Sequence, residues 1–329
     1  MSAVFPAASS GSTPPLPALD RRLGPLDGAA IVVSNVIGSG IFLVPAFVAQ
    51  LVPHPWAMVA VWVAGGALAF AGAMAYAELA ALRPRAGGEY VYLREAFGPL
   101  AAFLTGWTSF VAGFAGAIAA SAVGLASYLG RFLPAAADTR PLVALPLGLI
   151  TLKVSPQALV ALTAIAALTV VHVVGVGPGR VVQNILAGLK VAVLVTFVAI
   201  GFTLGQGSGA NFAAGGGSVA GSSWLLALLP VMFAYSGWNA AAYLAEEIRD
   251  PGRNVPLALG LGTVVVVATY VLLNLLYVYA MPVVELATVG GNVADAAAER
   301  LFGAAVAAPI AAASVVMIAA SISAMVFAG

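Results

Sequence analysis

The stretch from Asn35 to Phe42 reads Asn-Val-Ile-Gly-Ser-Gly-Ile-Phe, and it lies in the middle of an apolar run that spans residues 26–50. Two glycines flank a serine there, and each glycine destabilises a helix by about 1 kcal/mol relative to alanine. A helix that breaks inside a bilayer leaves backbone N–H and C=O groups that lipid cannot pair. The stretch therefore predicts a broken membrane helix whose free backbone groups line a cavity or bind a polar molecule.

A second interruption of the same kind lies in the apolar run 222–245. Residues 229–239 read Leu-Pro-Val-Met-Phe-Ala-Tyr-Ser-Gly-Trp-Asn, which combines a proline, a Ser-Gly pair and a polar asparagine. The two interrupted runs are five runs apart, and interruptions at matching places in two halves indicate a transporter built from inverted repeats. Glycines can also serve only to let helices pack closely, but two breaks at this spacing favour the transporter.

The composition independently excludes most soluble classes of protein. Of 329 residues, 62% are hydrophobic and 8% are charged, whereas soluble domains carry about 25% charged residues. A net charge of +1 is not that of a nucleic-acid binder. The chain has no cysteine and two histidines, His54 and His172, which argues against a disulfide or a metal site. We therefore expect an integral membrane protein without a metal or cofactor.

The apolar runs predict the number of membrane helices. A bilayer core needs about 20 apolar residues for each helix, and eight runs are long enough. They are 26–50, 55–82, 99–129, 156–176, 182–205, 222–245, 255–281 and 304–329. The predicted fold is all-α, preceded by a flexible tail over residues 1–25.

Basic residues predict the orientation, because cytoplasmic loops are enriched in Lys and Arg. With a cytoplasmic N-terminus, the inner loops hold Arg21, Arg22, Arg83, Arg85, Arg94, Arg180, Arg249 and Arg253. The outer loops then hold only Arg131, Arg140, Lys153 and Arg300. This bias favours a multi-pass protein of the plasma membrane with its N-terminus inside.

The two breaks also predict the chemistry of a ligand. The half-helix that begins near Ile41 presents free N–H groups and the positive end of its dipole, which suit a carboxylate. Half-helices that end near Ile37 and Phe233 present carbonyl groups, which suit an ammonium group. A small molecule that carries both groups side by side is an α-amino acid.

These residues resemble a known family. Gly38 to Phe42 is similar to the Gly-Ser-Gly-Ile-Phe signature of the amino acid–polyamine–organocation (APC) superfamily. The run from Phe233 to Pro256 resembles span 6 and its cytoplasmic exit in the L-type amino acid transporter branch, and Arg83 to Tyr92 resembles the first cytoplasmic loop. The resemblance implies a five-plus-five inverted-repeat core with discontinuous helices 1 and 6.

On that resemblance the chain divides into a first repeat over residues 26–205, an extracellular loop over 206–221 and a partial second repeat over 222–329. The last run reaches Gly329 with no basic or polar residue after it. We therefore expect the chain to be cut short, so that the second repeat is incomplete.

The resemblance also implies a substrate site. Backbone groups near the first break would bind the amino and carboxylate groups, and carbonyls at the second break would complete the ammonium site. The Phe233 ring would close over the substrate, while Trp238 and Asn239 would shape the side-chain pocket; ordinary helix packing is the alternative for both aromatic residues. The predicted substrate-binding residues are Ile37, Ser39, Gly40, Ile41, Phe233, Ala234, Ser236, Trp238 and Asn239. No acidic residue lies in the middle of spans 1, 3, 6 or 8, which favours neutral amino acids.

Lys190 is the one basic residue inside an apolar run, 182–205. A lysine at that depth costs about 2.5–3.5 kcal/mol and is a functional candidate by default. In similar transporters a lysine here contacts unwound carbonyls of span 1 and a hydroxyl of span 8, for which Ser321 and Ser323 are candidates. Ser323 is favoured because Ile322-Ser323-Ala324 resembles the family pattern. The alternatives are snorkelling for Lys190 and a bond to its own helix for Ser323.

The sequence thus predicts a secondary amino acid transporter that works by alternating access and is coupled to protons through Lys190. Its partners would be an amino acid, a proton and the lipid bilayer, with no nucleic acid. The alternatives are an amino acid exchanger and a truncated homologue that binds ligand without transport. An enzyme is not indicated, because no nucleophiles, acids or metal ligands converge within the spans.

Overall fold

The computed structural model describes residues 21–146, 148, 151–174, 176–213, 218–290 and 292–328. Over these residues the chain forms an all-α membrane fold. Six helices are long and apolar enough to cross a bilayer, and a pair bent by 49° makes a seventh span. The predicted tail lies mostly outside the described residues, as do residues 214–217 of the predicted loop 206–221.

The long helices correspond to the predicted apolar runs. The helices in chain order are α1 Pro25–Val36, α2 Gly40–Leu51, α3 Pro55–Leu82, α4 Glu89–Phe97, α5 Pro99–Thr108, α6 Ala115–Leu129, α7 Pro156–Val173, α8 Val176–Leu204, α9 Gly221–Ala234, α10 Ala240–Tyr243, α11 Pro251–Ala280, α12 Val283–Leu286, α13 Val293–Phe302 and α14 Ala307–Ala328. A π-helical stretch, Ser109–Phe114, joins α5 to α6, so that both belong to one span from Pro99 to Leu129. The bent pair is α1 and α2, and the predicted run 222–245 is divided between α9 and α10.

Small residues bring the two interrupted runs into contact. A Cβ built on Gly40, the first residue of α2, would lie 2.9 Å from the Cα of Ala234, the last residue of α9. Gly237 has a φ of 100°, and a Cβ built on it would lie 3.3 Å from the backbone of Asn35. Since only glycine adopts such a φ readily, the glycines of both interruptions allow the close approach that places them side by side.

An aromatic core fixes the helices around the breaks. The side chains of Trp62, Tyr235 and Tyr270 are fully buried. The Trp62 ring meets the Tyr270 ring edge-on with centroids 5.6 Å apart, and the Tyr235 hydroxyl donates to the Trp62 carbonyl over 3.1 Å. These contacts join α3, α11 and the end of α9 into one packed unit.

One end of the bundle gathers most of the basic residues. The amide of Leu23 donates to the Glu247 carbonyl over 3.0 Å, and Arg180 donates to the Arg22 carbonyl over 3.1 Å. The amide of Gly87 donates to the Tyr243 carbonyl over 3.2 Å. The segments assigned to the inner loops therefore lie together, which we call the arginine-rich end.

The opposite end carries a β-hairpin that the sequence analysis did not predict. Strands β1 Val143–Pro146 and β2 Thr151–Val154 pair antiparallel, with Val143 opposite Val154. The short helix α13 lies at the same end, because Gln206 after α8 donates to the Leu301 carbonyl over 2.9 Å. The helix α12 is joined to it by an ion pair between Glu285 and Arg300.

Candidate functional site

A cavity of about 280 Å³, which we call the central cavity, lies where the two breaks meet. This volume is near the lower end of the range for small-molecule sites. Its lining comes from the breaks, the π-helical stretch, α6, α10 and α14. None of the described residues that line it is charged. They are Asn35, Val36, Gly38, Ser39, Gly40, Ser109, Gly113, Phe114, Ala117, Ser121, Phe233, Ala234, Ser236, Gly237, Asn239, Tyr243, Ser321 and Met325.

The first break offers hydrogen-bond donors to this cavity. The amides of Ser39 and Gly40 donate to no other described residue, and both residues line the cavity. They lie at the N-terminus of α2, where unpaired N–H groups and the helix dipole favour an anion. Ile41, which the sequence analysis included in the site, is fully buried and does not line the cavity.

The second break offers acceptors. The Phe233 carbonyl accepts from the Ser236 amide over 3.1 Å and from the Ser236 hydroxyl over 2.7 Å. The Ala234 carbonyl lies 3.1 Å from the Tyr270 hydroxyl. All three predicted residues line the cavity, but the Phe233 carbonyl already accepts two hydrogen bonds and the Ala234 carbonyl one. The Phe233 ring is 71% exposed and lies at the cavity.

Lys190 is fully buried beneath the first break. Its ammonium group donates to the Ile37 carbonyl over 2.5 Å, the Ser321 hydroxyl over 2.8 Å and the Ser34 carbonyl over 3.0 Å. An ammonium group has three donors, so its hydrogen-bonding capacity is filled by the protein. Because Lys190 is fully buried, it does not snorkel to the interface. The Ile37 carbonyl accepts a hydrogen bond from Lys190, and Ile37 does not line the cavity.

The amino acid permease family matches this chain over residues 23–329. The chain belongs to the amino acid permease family. The match includes the first break, Lys190 and the second break, so it covers the whole candidate site.

Curated relatives of this permease are amino acid transporters by name. The human b(0,+)-type amino acid transporter 1 is 33% identical over 279 residues, which cover 83% of this chain and 54% of the relative. The serine/threonine exchanger SteT of Bacillus subtilis (strain 168) is 28% identical over 285 residues, covering 87% of this chain and 61% of the relative. The human Asc-type amino acid transporter 1 is 29% identical over 295 residues, which cover 87% of this chain and 53% of the relative. The chain spans about half the length of the curated relatives it matches.

Ser323 does not contact Lys190 in the permease, and the prediction that it would is wrong. Its hydroxyl lies 3.0 Å from Nε2 of His172 on α7. Residues two apart on a helix do not face the same side, so only one of the two serines of α14 can point at Lys190. That residue is Ser321, which also lines the central cavity.

Trp238 also differs from its prediction, because it does not line the cavity of the permease. Its ring meets Tyr76 of α3 edge-on with centroids 5.0 Å apart, and a Cβ built on Gly72 would lie 2.9 Å from that ring. The neighbouring Gly237, with its positive φ, turns the chain so that Trp238 packs against α3.

Asn239 lines the cavity and belongs to a cluster that the sequence analysis missed. The Oε1 atom of Glu89 accepts from the Asn239 side-chain amide over 2.6 Å and from the Tyr243 hydroxyl over 2.8 Å. We call these three residues the Glu89 cluster. Its only sequence signal is an acid directly after Gly87 and Gly88 at the start of an amphipathic segment.

Tyr270 of α11 is a second missed residue. Its buried hydroxyl lies 2.8 Å from the Val36 carbonyl and 3.1 Å from the Ala234 carbonyl. These are the last carbonyls of α1 and α9, so one hydroxyl connects both breaks of the permease. A lone tyrosine in an apolar run gave no signal of this role.

Proposed function

We propose that this permease moves neutral α-amino acids across the membrane by alternating access. Family membership and relatives that are named as amino acid transporters support this proposal. The single observation that carries it is the meeting of two helix breaks at a cavity whose lining, over the part of the chain that the structure describes, is uncharged.

The cavity offers a complementary partner for each end of an amino acid. The free amides of Ser39 and Gly40 would bind the carboxylate. The Ala234 carbonyl accepts one hydrogen bond and has a second lone pair, and with the oxygen of the Ser236 hydroxyl it would bind the ammonium group beside Phe233. Because none of the described residues that line the cavity is charged, the third group of the substrate meets serines, asparagines and apolar surface, which favours a neutral side chain.

Lys190 is the proposed site of proton coupling. It lies between the α1 break and Ser321 of α14, where its ammonium group donates to the Ile37 and Ser34 carbonyls and to the Ser321 hydroxyl. The loss of its proton would leave two N–H donors for these three acceptors, so at least one of them would lose its hydrogen bond. Such a change would alter the geometry of the break that binds substrate. The proposal includes the inverted-repeat division at residues 26–205 and 222–329, and a plasma-membrane location with a cytoplasmic N-terminus.

Exchange of one amino acid for another is the second candidate. The three donors of Lys190 are all satisfied, which suits an ammonium group that never loses its proton. The Bacillus subtilis relative is named a serine/threonine exchanger. Under this reading Lys190 holds the break in shape and takes no part in coupling.

Uptake into proteoliposomes tests both readings. Radiolabelled neutral amino acids are presented to vesicles that are empty, preloaded with unlabelled amino acid, or acidified outside. Proton coupling predicts uptake into empty vesicles that rises with the pH gradient and loses this dependence in Lys190→Met. Exchange predicts uptake that requires preloading and ignores the gradient. Ligand binding without uptake under any condition would contradict transport.

A pair of glycine variants connects the uptake to the central cavity. Gly40→Ala places a methyl group against Ala234, whereas a Cβ on Gly188 of α8 meets nothing within 4 Å. Gly40→Ala is expected to abolish uptake, and Gly188→Ala to preserve it. Equal uptake by the two variants would contradict the assignment of the cavity.

A further inference from the structure

A second cavity, of about 440 Å³, lies beside α13. We call it the α13 cavity. Its polar lining is Ser127, Tyr128 and Arg131 at the end of α6, and Asp295 and Glu299 on α13. Its apolar lining is Ala304, Val306, Ile310 and Ala311, before and within α14.

The charged residues that line this cavity form no ion pair with other described residues. Among the described residues, neither Arg131 nor Glu299 forms an ion pair within 4.0 Å. The Oδ1 atom of Asp295 is buried and has no hydrogen-bond partner among the described residues. Opposite charges that line one cavity without pairing leave room for a ligand that carries both signs.

Asp295 is held in place for such a ligand. Its Oδ2 atom accepts from the Tyr128 hydroxyl over 3.3 Å, and the side-chain amide of Asn292 donates to the same hydroxyl. Burial raises the pKa of the Asp295 carboxyl above its usual value. A carboxylate that lacks a counter-charge and water gains from a cationic group that approaches it.

The α13 cavity lies along the same helix pair as the central cavity. Ser121 of α6 lines the central cavity and Ser127 lines the α13 cavity, a separation of about 9 Å along the helix axis. The buried side chains of Ala122, Leu125 and Ile318 pack between α6 and α14 in the intervening layer. The two cavities are thus stacked along one seam with apolar side chains between them.

We propose that the α13 cavity is a second binding site for a zwitterionic α-amino acid with an aliphatic side chain. Asp295 and Glu299 hold the ammonium group, Arg131 holds the carboxylate, and the apolar wall formed by Val306, Ile310 and Ala311 receives the side chain. The ligand class follows from the charges of this cavity, so the site goes beyond the transport proposed above and does not depend on the central cavity.

The binding stoichiometry of radiolabelled L-leucine on the purified chain tests the site. The wild-type chain is expected to bind two molecules, and Arg131→Gln and Asp295→Asn one each. Arg140→Gln is the matched control, because Arg140 is an exposed arginine of the same connection that pairs with Asp138; it is expected to keep two. Melting temperature confirms that each variant is folded. Because Arg131 lies just after α6 and Asp295 lies on α13, the second variant still tests the site if the first one fails to fold.

A central-cavity variant separates the two proposals. Ser236→Trp fills the central cavity, and this variant is expected to bind one leucine per chain. The double variant Ser236→Trp, Arg131→Gln is expected to bind none. One leucine in the wild type that Ser236→Trp abolishes and Arg131→Gln does not would overturn the α13 site alone. One leucine that Arg131→Gln abolishes and Ser236→Trp does not would overturn the central site alone. Equal losses in Arg131→Gln and Arg140→Gln, or no saturable binding, would also overturn the α13 site.

Discussion

Ser321 and Ser323 lie two residues apart on α14, yet their hydroxyl groups form hydrogen bonds with different residues. Ser321 accepts a hydrogen bond from Lys190 over 2.8 Å, and Ser323 lies 3.0 Å from His172. A hydrogen bond to a charged group contributes about 1.5–3 kcal/mol. The two serines therefore form a natural pair for testing whether the environment of Lys190 matters for transport.

Ser321→Ala is expected to lower amino acid uptake by about tenfold, because one bond of that strength corresponds to at least a factor of ten. Ser323→Ala, which leaves all three Lys190 contacts intact, is expected to keep uptake near that of the wild type. Initial rates in proteoliposomes, normalised to the amount of inserted protein, measure the difference. If Ser323→Ala lowered uptake and Ser321→Ala did not, Ser323 rather than Ser321 would be the serine that matters for transport.

At this scale the sequence predicted residues that stand out chemically. A lysine in an apolar run is conspicuous, and Lys190 was found for that reason. The choice between two serines of one helix depends on its rotation, which packing sets and residue spacing alone does not reveal. Glu89 and Tyr270 were missed because their partners are 150 and 36 residues or more away in sequence.

Two buried tyrosines of α11 differ in what they do for the elements around them. The Tyr270 hydroxyl connects the ends of α1 and α9, whereas the Tyr277 hydroxyl is buried without a hydrogen-bond partner among the described residues. An unsatisfied buried polar group costs about 1–3 kcal/mol. Removing the Tyr270 hydroxyl should therefore lower stability, whereas removing the Tyr277 hydroxyl should not.

Tyr270→Phe leaves the Val36 and Ala234 carbonyls without this donor and is expected to destabilise the fold by about 1–3 kcal/mol. Tyr277→Phe removes an unpaired hydroxyl and is expected to be neutral or stabilising. The melting temperatures of the two purified variants, measured in the same detergent, test this difference in stability. A Tyr270→Phe variant as stable as Tyr277→Phe would show that the hydroxyl does not hold the breaks.

The Glu89 cluster joins α4 to the second break, and its loss should loosen one element without unfolding the bundle. Glu89→Ala is expected to speed hydrogen exchange over residues 86–92, where the amides of Ala86 and Gly87 bond to Glu246 and Tyr243. Glu95→Ala is the control, because Glu95 pairs only with the exposed Arg83 in the described chain. Hydrogen-exchange mass spectrometry measures both, and equal protection in the two variants would contradict the docking of α4 through Glu89.

Helix breaks could be predicted from sequence because glycine, serine and proline act locally on the backbone. The runs 26–50 and 222–245 are predicted to break for that reason, and the helix is interrupted in both. The β-hairpin over Val143–Val154 was missed because its strands are only four residues each and are flanked by apolar residues that resemble membrane helix. The docking of α4 on α10 was missed because it depends on contacts between distant segments.

At the scale of the whole molecule, the distribution of charge predicts how the bundle sits in the bilayer. The loops of the arginine-rich end hold eight basic residues and the opposite loops hold four, so the positive-inside rule places the arginine-rich end in the cytoplasm. The segments that the rule assigns to the inner side lie together at one end of the bundle, as one orientation requires. The chain has no cysteine, so single cysteines can report on each loop without a background.

Ala86→Cys and Gly252→Cys place a thiol at the arginine-rich end, and Thr139→Cys and Ser208→Cys place one at the opposite end. All four positions are exposed. In intact cells a membrane-impermeant maleimide is expected to label residues 139 and 208, and to label 86 and 252 only after permeabilisation. Labelling of 86 and 252 from outside would reverse the orientation while keeping the fold. Labelling that separates 86 from 252, or 139 from 208, would contradict the helix count between them, since an even number of crossings must return the chain to the same face.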